Sequence, residues 1–266
     1  MSKERSKAGR HIEKTIEIRA SAEQVWRAIT DPEELIRWFP AQARVEPGEG
    51  GSIWISWGPG AEGKAPITAW EEGKRLQWTE EYPGAEGKGP VRLAVDFRIE
   101  ARGGNAVLRL VQSGFGPGPD WDDTFDGLDE GWGYFLRNLK HYLERHAGTP
   151  RDLISVRRSS SLPREQVWER LLNRAGDGMI DWSPGAQSYE LRLGGERCPG
   201  KVIRANPPYN FAGTLESLND GILFIELERG GERWHCGIWL SIYGLPNERV
   251  AELRQALDDW SQSFFA

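Results

Sequence analysis

The tetrapeptide Glu23-Gln24-Val25-Trp26 returns 142 residues later as Glu165-Gln166-Val167-Trp168. Each copy follows a strand-like run and opens a helical one, and the order strand, helix, sheet, long helix then occurs twice. A repeat at that scale constrains the chain to two consecutive copies of one unit. With 266 residues there is room for two ordinary domains of roughly 100–150 residues each.

The first copy can be read residue by residue. Ile12, Ile16 and Ile18 sit at even positions, which predicts a strand with one buried face. Ser21 and Gln24 have the spacing of a capping box. Asp31-Pro32-Glu33-Glu34 is a second helix start, with a cap residue, Pro at the first helical position and acids in the first turn. Strands are expected at 52–57, 66–71, 75–80, 91–100 and 105–113, with a tight hairpin at Glu72-Gly73-Lys74 and a loop at 82–90. Val91, Leu93, Val95, Phe97 and Ile99 alternate with polar neighbours, the clearest period-two run in the chain. Turns this short join antiparallel neighbours, so a meander is predicted. Trp132, Phe135, Leu136, Leu139 and Leu143 then form one face of a long helix, and Gly148-Thr149-Pro150 ends it.

The second copy is shorter. Strands are predicted at 152–160, 188–193, 198–205, 210–217, 222–228 and 233–243. Pro163 opens a first helix, and a last helix from Pro246 buries Val250, Leu253, Leu257, Trp260 and Phe264. The fold class is α+β, with a disordered tail at 1–10 and domains at 11–148 and 151–266.

Charge excludes one partner class. Residues 1–150 hold 20 Lys and Arg against 24 Asp and Glu, and 151–266 hold 14 against 16. Neither half has the basic excess that a phosphate backbone requires, so no nucleic acid is expected. No run nears the ~18 apolar residues of a membrane span, and the polar start reads as no signal peptide. Two cysteines, Cys198 and Cys236, read as free thiols in a reducing compartment, hence a cytoplasmic protein.

The segment Ala20-Ser21-Ala22-Glu23-Gln24-Val25-Trp26-Arg27-Ala28-Ile29-Thr30-Asp31-Pro32-Glu33-Glu34-Leu35-Ile36-Arg37-Trp38-Phe39, with Gly131-Trp132 leading into the Leu-rich helix, resembles the activator of heat-shock protein 90 ATPase homologue group. That group belongs to the START-like, or SRPBCC, helix-grip superfamily, many of whose bacterial members have no assigned activity. The resemblance covers roughly residues 10–148. It implies tandem START-like helix-grip domains, the second a degenerate copy, each a curved antiparallel sheet around its last helix. A cavity for an apolar molecule is implied between sheet and helix. The eukaryotic activator also has a separate N-terminal domain, whereas a ten-residue tail precedes the first strand here.

Candidate chemistry is sparse. Gly58-Pro59-Gly60-Ala61-Glu62-Gly63 matches G-x-G-x-x-G, but a strand and not a helix is expected after it, so it reads as a hairpin turn. Asp120, Asp122, Asp123, Asp126, Asp129 and Glu130 read as acids favoured by a helix dipole, since Gly133 stands where a calcium loop needs its bidentate Glu. His141 and His146 miss the i, i+4 spacing of a ligand pair, and His235 and Cys236 face opposite ways on a strand. No metal, no cofactor and no catalytic residue is expected. Trp54 and Trp57, three apart, face oppositely. The expected cavity lining is Trp78, Phe97, Trp132, Phe135, Leu136 and Leu139, with Glu80 as a polar anchor at the rim. The function expected is non-enzymatic binding of a small hydrophobic or aromatic molecule, with the second domain structural, in a monomer or homodimer. The alternatives are a chaperone-associated interaction module and a cyclase- or hydrolase-like enzyme. The enzyme would need Glu80, Asp96 or His141 to point into the cavity, and alternation turns Asp96 outward.

Overall fold

The computed structural model describes residues 9–58, 60–82, 90–116, 118, 121–172, 176–230 and 233–266. The chain divides into two units, Met1–Gly148 and Thr149–Ala266. Residues 1–8 of the expected tail and 83–89 of the expected loop lie outside the described residues. Arg10, at the end of that tail, is held: it pairs with Asp122 at 2.5 Å and donates to the Gly118 carbonyl at 3.1 Å.

In the first unit, β1 (His11–Ile18) buries Ile12 and Ile18. The capping box then forms as the sequence predicts. The Ser21 hydroxyl accepts from the Gln24 backbone N–H, and the Gln24 side chain accepts from the Ser21 N–H. This reciprocal cap starts α1 (Ala22–Thr30), and Asp31 caps α2 (Pro32–Leu35) through the Glu33 N–H. Six strands follow: β2 (Gln42–Glu46), β3 (Ser52–Ser56), β4 (Glu62–Glu71), β5 (Arg75–Tyr82), β6 (Val91–Arg102) and β7 (Asn105–Ser113), before α3 (Asp122–Arg145). β2 is an addition to the sequence reading, β4 begins at Glu62 rather than at 66, and β5 continues to Tyr82.

The sheet runs β1-β7-β6-β5-β4-β3-β2. The meander β2 to β7 follows from its short turns, and β1 closes the order because α1 and α2 carry the chain to the far edge. A register shift between Ile67 and Ala69 bends β4. On β6, Leu93, Val95 and Phe97 are buried inward. Asp96 faces outward and is nonetheless covered, because Arg75 donates to both its oxygens at 3.0 and 3.1 Å and Arg98 donates at 3.2 Å.

Helix α3 closes the inner face. Trp132, Leu136, Leu139 and Leu143 are buried, each such side chain contributing about 1.5–3 kcal/mol in removal from water. Trp132 also has a polar tie: its Nε1 donates to Gln112 Oε1 on β7 at 2.8 Å. Lower on the helix, the Tyr142 hydroxyl donates to Glu34 Oε2 at 2.6 Å and accepts from Arg37 at 3.2 Å, fastening α2 to α3. Two of the acids near the start of α3 have partners, Arg10 for Asp122 and Lys14 for Asp129 at 2.7 Å. Asp120 lies outside the described residues.

The second unit has β8 (Arg151–Ser160), α4 (Arg164–Leu171), β9 (Ile180–Asp181), β10 (Ser188–Leu193), β11 (Glu196–Asn206), β12 (Asn210–Leu215), β13 (Gly221–Gly230), β14 (Arg233–Tyr243) and α5 (Asn247–Phe264). Its sheet order is β8-β14-β13-β12-β11-β10-β9, the first unit's order strand for strand. Even the bend recurs: β11, the counterpart of β4, shifts register between Val202 and Arg204. The repeated tetrapeptides pack alike, with Val25 and Trp26 buried in one unit and Val167 and Trp168 in the other. From α5, Val250, Leu253, Leu257 and Phe264 are buried. Trp260 stacks on Phe264 at 4.6 Å and donates to the Asp177 carbonyl at 2.7 Å. Cys198 and Cys236 are buried free thiols, and desolvation raises the Cys236 pKa to about 12. His235 faces away from its neighbour, toward Ser159 at 3.0 Å.

The protein is therefore a tandem of helix-grip domains in the α+β class, each a bent antiparallel sheet closed by its last helix. No helix among the described residues is long and apolar enough to cross a membrane.

Candidate functional site

On β3, alternation sends Ile53 and Ile55 inward, and Trp57 just past the strand end keeps that phase. Trp54 takes the other face, under the Arg44 guanidinium at 4.7 Å. Across from them on β4 stand two small residues: Ala65 pairs with Ile53 and Gly63 with Ile55. On β5, Trp78, Glu80 and Tyr82 share the inner face by the same period of two. Large walls and a small floor leave a cleft of about 380 Å³ bounded by these residues. Gly63 opens it: a Cβ built there meets no atom within 4 Å.

The cleft's polar element is on β5. Trp78 Nε1 donates to Glu80 Oε1 at 2.7 Å, and the Tyr82 hydroxyl donates to Glu80 Oε2 at 2.9 Å. Burial, together with the neighbouring carboxylate, raises the Tyr82 pKa, which keeps its phenol a neutral donor. Other charged groups at the rim are engaged elsewhere: Lys64 lies 3.4 Å from Glu46, and Glu81 accepts from Arg92 at 3.2 Å. Among the described residues, no Lys, Arg or His nitrogen lies within 4.0 Å of the Glu80 carboxylate.

Behind the cleft, rings touch in series. Trp78 meets Phe97 at 5.3 Å between centroids, Phe97 meets Trp132 at 5.7 Å, Trp132 stacks on Phe39 at 5.5 Å, and Phe39 meets Trp57 edge-on at 5.4 Å. Phe135 adds a second support to Trp57 at 5.1 Å. Such pairs contribute about 0.5–1.5 kcal/mol each beyond their area, so the walls are held from behind.

The seven residues named from sequence fall into three places. Trp78 and Glu80 border the cleft. Phe97, Trp132 and Phe135 belong to the ring series that backs it. Leu136 and Leu139 fill the core between α3 and the sheet, with 1% and 0% of their surface exposed. The opening thus lies at the β3–β5 end of the sheet, whereas the sequence pointed along the helix. Ile53, Ile55, Trp57, Gly63 and Tyr82 went unassigned. Their signals were present: Trp57 and Ile55 share a phase, and Tyr82 continues the period of Trp78 and Glu80. Gly63 is the last glycine of the G-x-G-x-x-G run, of which Pro59 lies outside the described residues; β3 and β4 on either side pair as the expected hairpin, with Gly58 and Gly60 at φ of 130° and 79°. Asp96 is on the outer face with its two arginines. His141 lies on α3 with its ring 5.2 Å from that of His146.

The second unit uses the equivalent space differently. Tyr189 on β10, the counterpart of β3, pairs with Gly200 on β11 and lies over Gly213 on β12. A Cβ on Gly200 would stand 2.6 Å from the Tyr189 ring, and one on Gly213 2.2 Å. The ring packs on Phe211 at 4.9 Å, and its hydroxyl donates to the Thr214 carbonyl at 2.7 Å. Burial raises its pKa. Counted from the shared register shift, Tyr189 stands where Ile53 does and Gly213 where Trp78 does, so the tyrosine ring covers the position that an indole fills in the first unit.

Residues 19–144 match the family described as Activator of Hsp90 ATPase homolog 1-like protein. No curated protein sequence matches the chain. Among solved structures, the protein MLL2253 from Mesorhizobium loti is 27% identical, over 52% of this chain and 98% of its own, with a TM-score of 0.47. DynU16, described as a putative protein in the dynemicin biosynthetic locus, is 18% identical over 96% of both chains, with a TM-score of 0.44. BexL, a di-domain ARO/CYC protein of the BE-7585A biosynthetic pathway, is 15% identical over 96% of both, also at 0.44.

Proposed function

We propose that the first unit is a non-enzymatic binding domain whose cleft takes a small apolar or aromatic molecule. The observation that carries this reading is the meeting of ring-walled apolar surface and one fixed acceptor, Glu80, in a single cavity of about 380 Å³. Small-molecule sites are mostly apolar, about 300–1,000 Å³ in volume, with few but well-placed polar groups. Burial of ligand surface supplies about 25 cal/mol per Å², and Glu80 sets orientation. The second unit, whose Tyr189 ring lies over Gly213, is a structural copy.

Native mass spectrometry of freshly purified protein, followed by calorimetric titration with naphthyl compounds, tests this. Gly63→Leu fills the cleft from a position with room for the side chain. It should weaken binding at least about tenfold, that is by about 1.4 kcal/mol, without lowering the melting temperature. Undiminished binding by that variant removes this reading.

The match of residues 19–144 to the Hsp90 ATPase activator family supports a second reading, a chaperone-associated module. Co-precipitation with a purified Hsp90-type chaperone and its ATPase rate test it, and no capture together with no rate change counts against it.

A further inference from the structure

The cleft contains a negative charge that, among the described residues, no cation of its walls pairs with. Glu80 accepts two hydrogen bonds, from Trp78 and Tyr82, and both donors are neutral. Among the described lining residues the cation is Lys64, which is directed to Glu46, and Glu62 adds acid to the rim. The rings around Glu80 are electron-rich: two indoles, Trp57 and Trp78, and one phenol, Tyr82. Aromatic faces attract a cation by about 0.5–2 kcal/mol according to desolvation. A carboxylate held in place adds a charge-assisted hydrogen bond, roughly twice as strong as a neutral one. A neutral apolar ligand would leave that charge with its two neutral donors and no counter-charge, and an anionic one would be repelled.

We infer that the cleft selects an organic cation, an apolar or aromatic body carrying a protonated amine, with the ammonium against Glu80 and flanked by Trp57, Trp78 and Tyr82. This rests on the binding reading of the same cleft and adds the charge of the ligand to it. The two hydrogen bonds fix the carboxylate before any ligand arrives, so little ordering cost remains on binding. Phe97, Phe39 and Phe135 hold the two indoles from behind. The volume of about 380 Å³ suits a body of two fused rings.

Three probes of nearly equal size decide the matter: 2-naphthylmethylammonium, 2-naphthylmethanol and 2-naphthoate, titrated calorimetrically into the full chain at low ionic strength. The ammonium should bind about tenfold or more tighter than the alcohol, corresponding to about 1.4 kcal/mol, and the carboxylate weakest. The ammonium's advantage should shrink with added salt, as expected for a charge contact. Glu80→Gln, with its melting temperature recorded, should bring ammonium and alcohol within about twofold of each other. Equal binding of ammonium and alcohol by the unmodified protein overturns the charge selection and leaves the binding reading intact. If none of the three binds, or Gly63→Leu binds all three undiminished, the binding reading falls and this inference with it. The comparison in the unmodified protein needs no variant to fold.

Discussion

The two units share strand order, a bend in the corresponding strand and a closing helix, yet they treat the inner face of three matching strands in opposite ways. In the first, isoleucines on β3 face Gly63 and Ala65 on β4, and a cleft opens. In the second, Tyr189 on β10 lies across Gly200 and Gly213, so the glycines give room to a ring. Glycine is thus no mark of a cavity by itself. What decides is whether the strand alongside carries a side chain long enough to reach over.

That contrast can be broken directly. Tyr189→Ala should be among the largest effects: removing a buried ring from a packed core costs about 3–5 kcal/mol by analogy with Phe and Trp truncations. Chemical denaturation reads the loss, and the naphthyl probes should gain a second, weaker site. Trp132→Ala should cost a similar 3–5 kcal/mol, with an additional penalty for the stranded oxygen of Gln112. Paired alanine substitutions sharpen the comparison. Gly213→Ala drives a methyl into the Tyr189 ring and should cost about 1–3 kcal/mol. Gly63→Ala meets open space and should stabilise slightly, by about 0.4–1 kcal/mol, through the unfolded chain. Equal costs at the two glycines would mean that the spaces are not distinct. Another small effect concerns the first helices: α1 has a side-chain cap and α4, behind Pro163, has none. Ser21→Ala should therefore cost about 1 kcal/mol, readable as a shift in midpoint at constant slope.

Local rules made much of this architecture legible. The Ser21 cap, the alternation of β6 and the helical spacing from Trp132 to Leu143 each depend on neighbours within a few residues, and each forms as read. β2 and β9 were not legible. Gln42–Glu46 carries a single aliphatic pair, Ala43 and Val45, and Ile180–Asp181 is two residues long, so both are defined by their pairing partners. The cleft depends on more distant relations still. Trp78 and Glu80 could be assigned to the interior by phase, but the same periodicity assigns Phe97 and Trp132 there equally, and these interlock with other rings. Whether an inward aromatic packs or borders space depends on residues from three or four separate strands and a helix.

The ring series from Trp78 through Phe97, Trp132 and Phe39 to Trp57 has an optical consequence. With one phenyl ring between each indole and the next, at indole-to-phenyl centroid separations of 5.3 to 5.7 Å, the indoles are near enough to exchange excitation through space. An absorber lodged beside Trp57 would then dim Trp132 as well, although that indole lies in the dry interior, so the first unit carries a built-in light meter for its own occupancy.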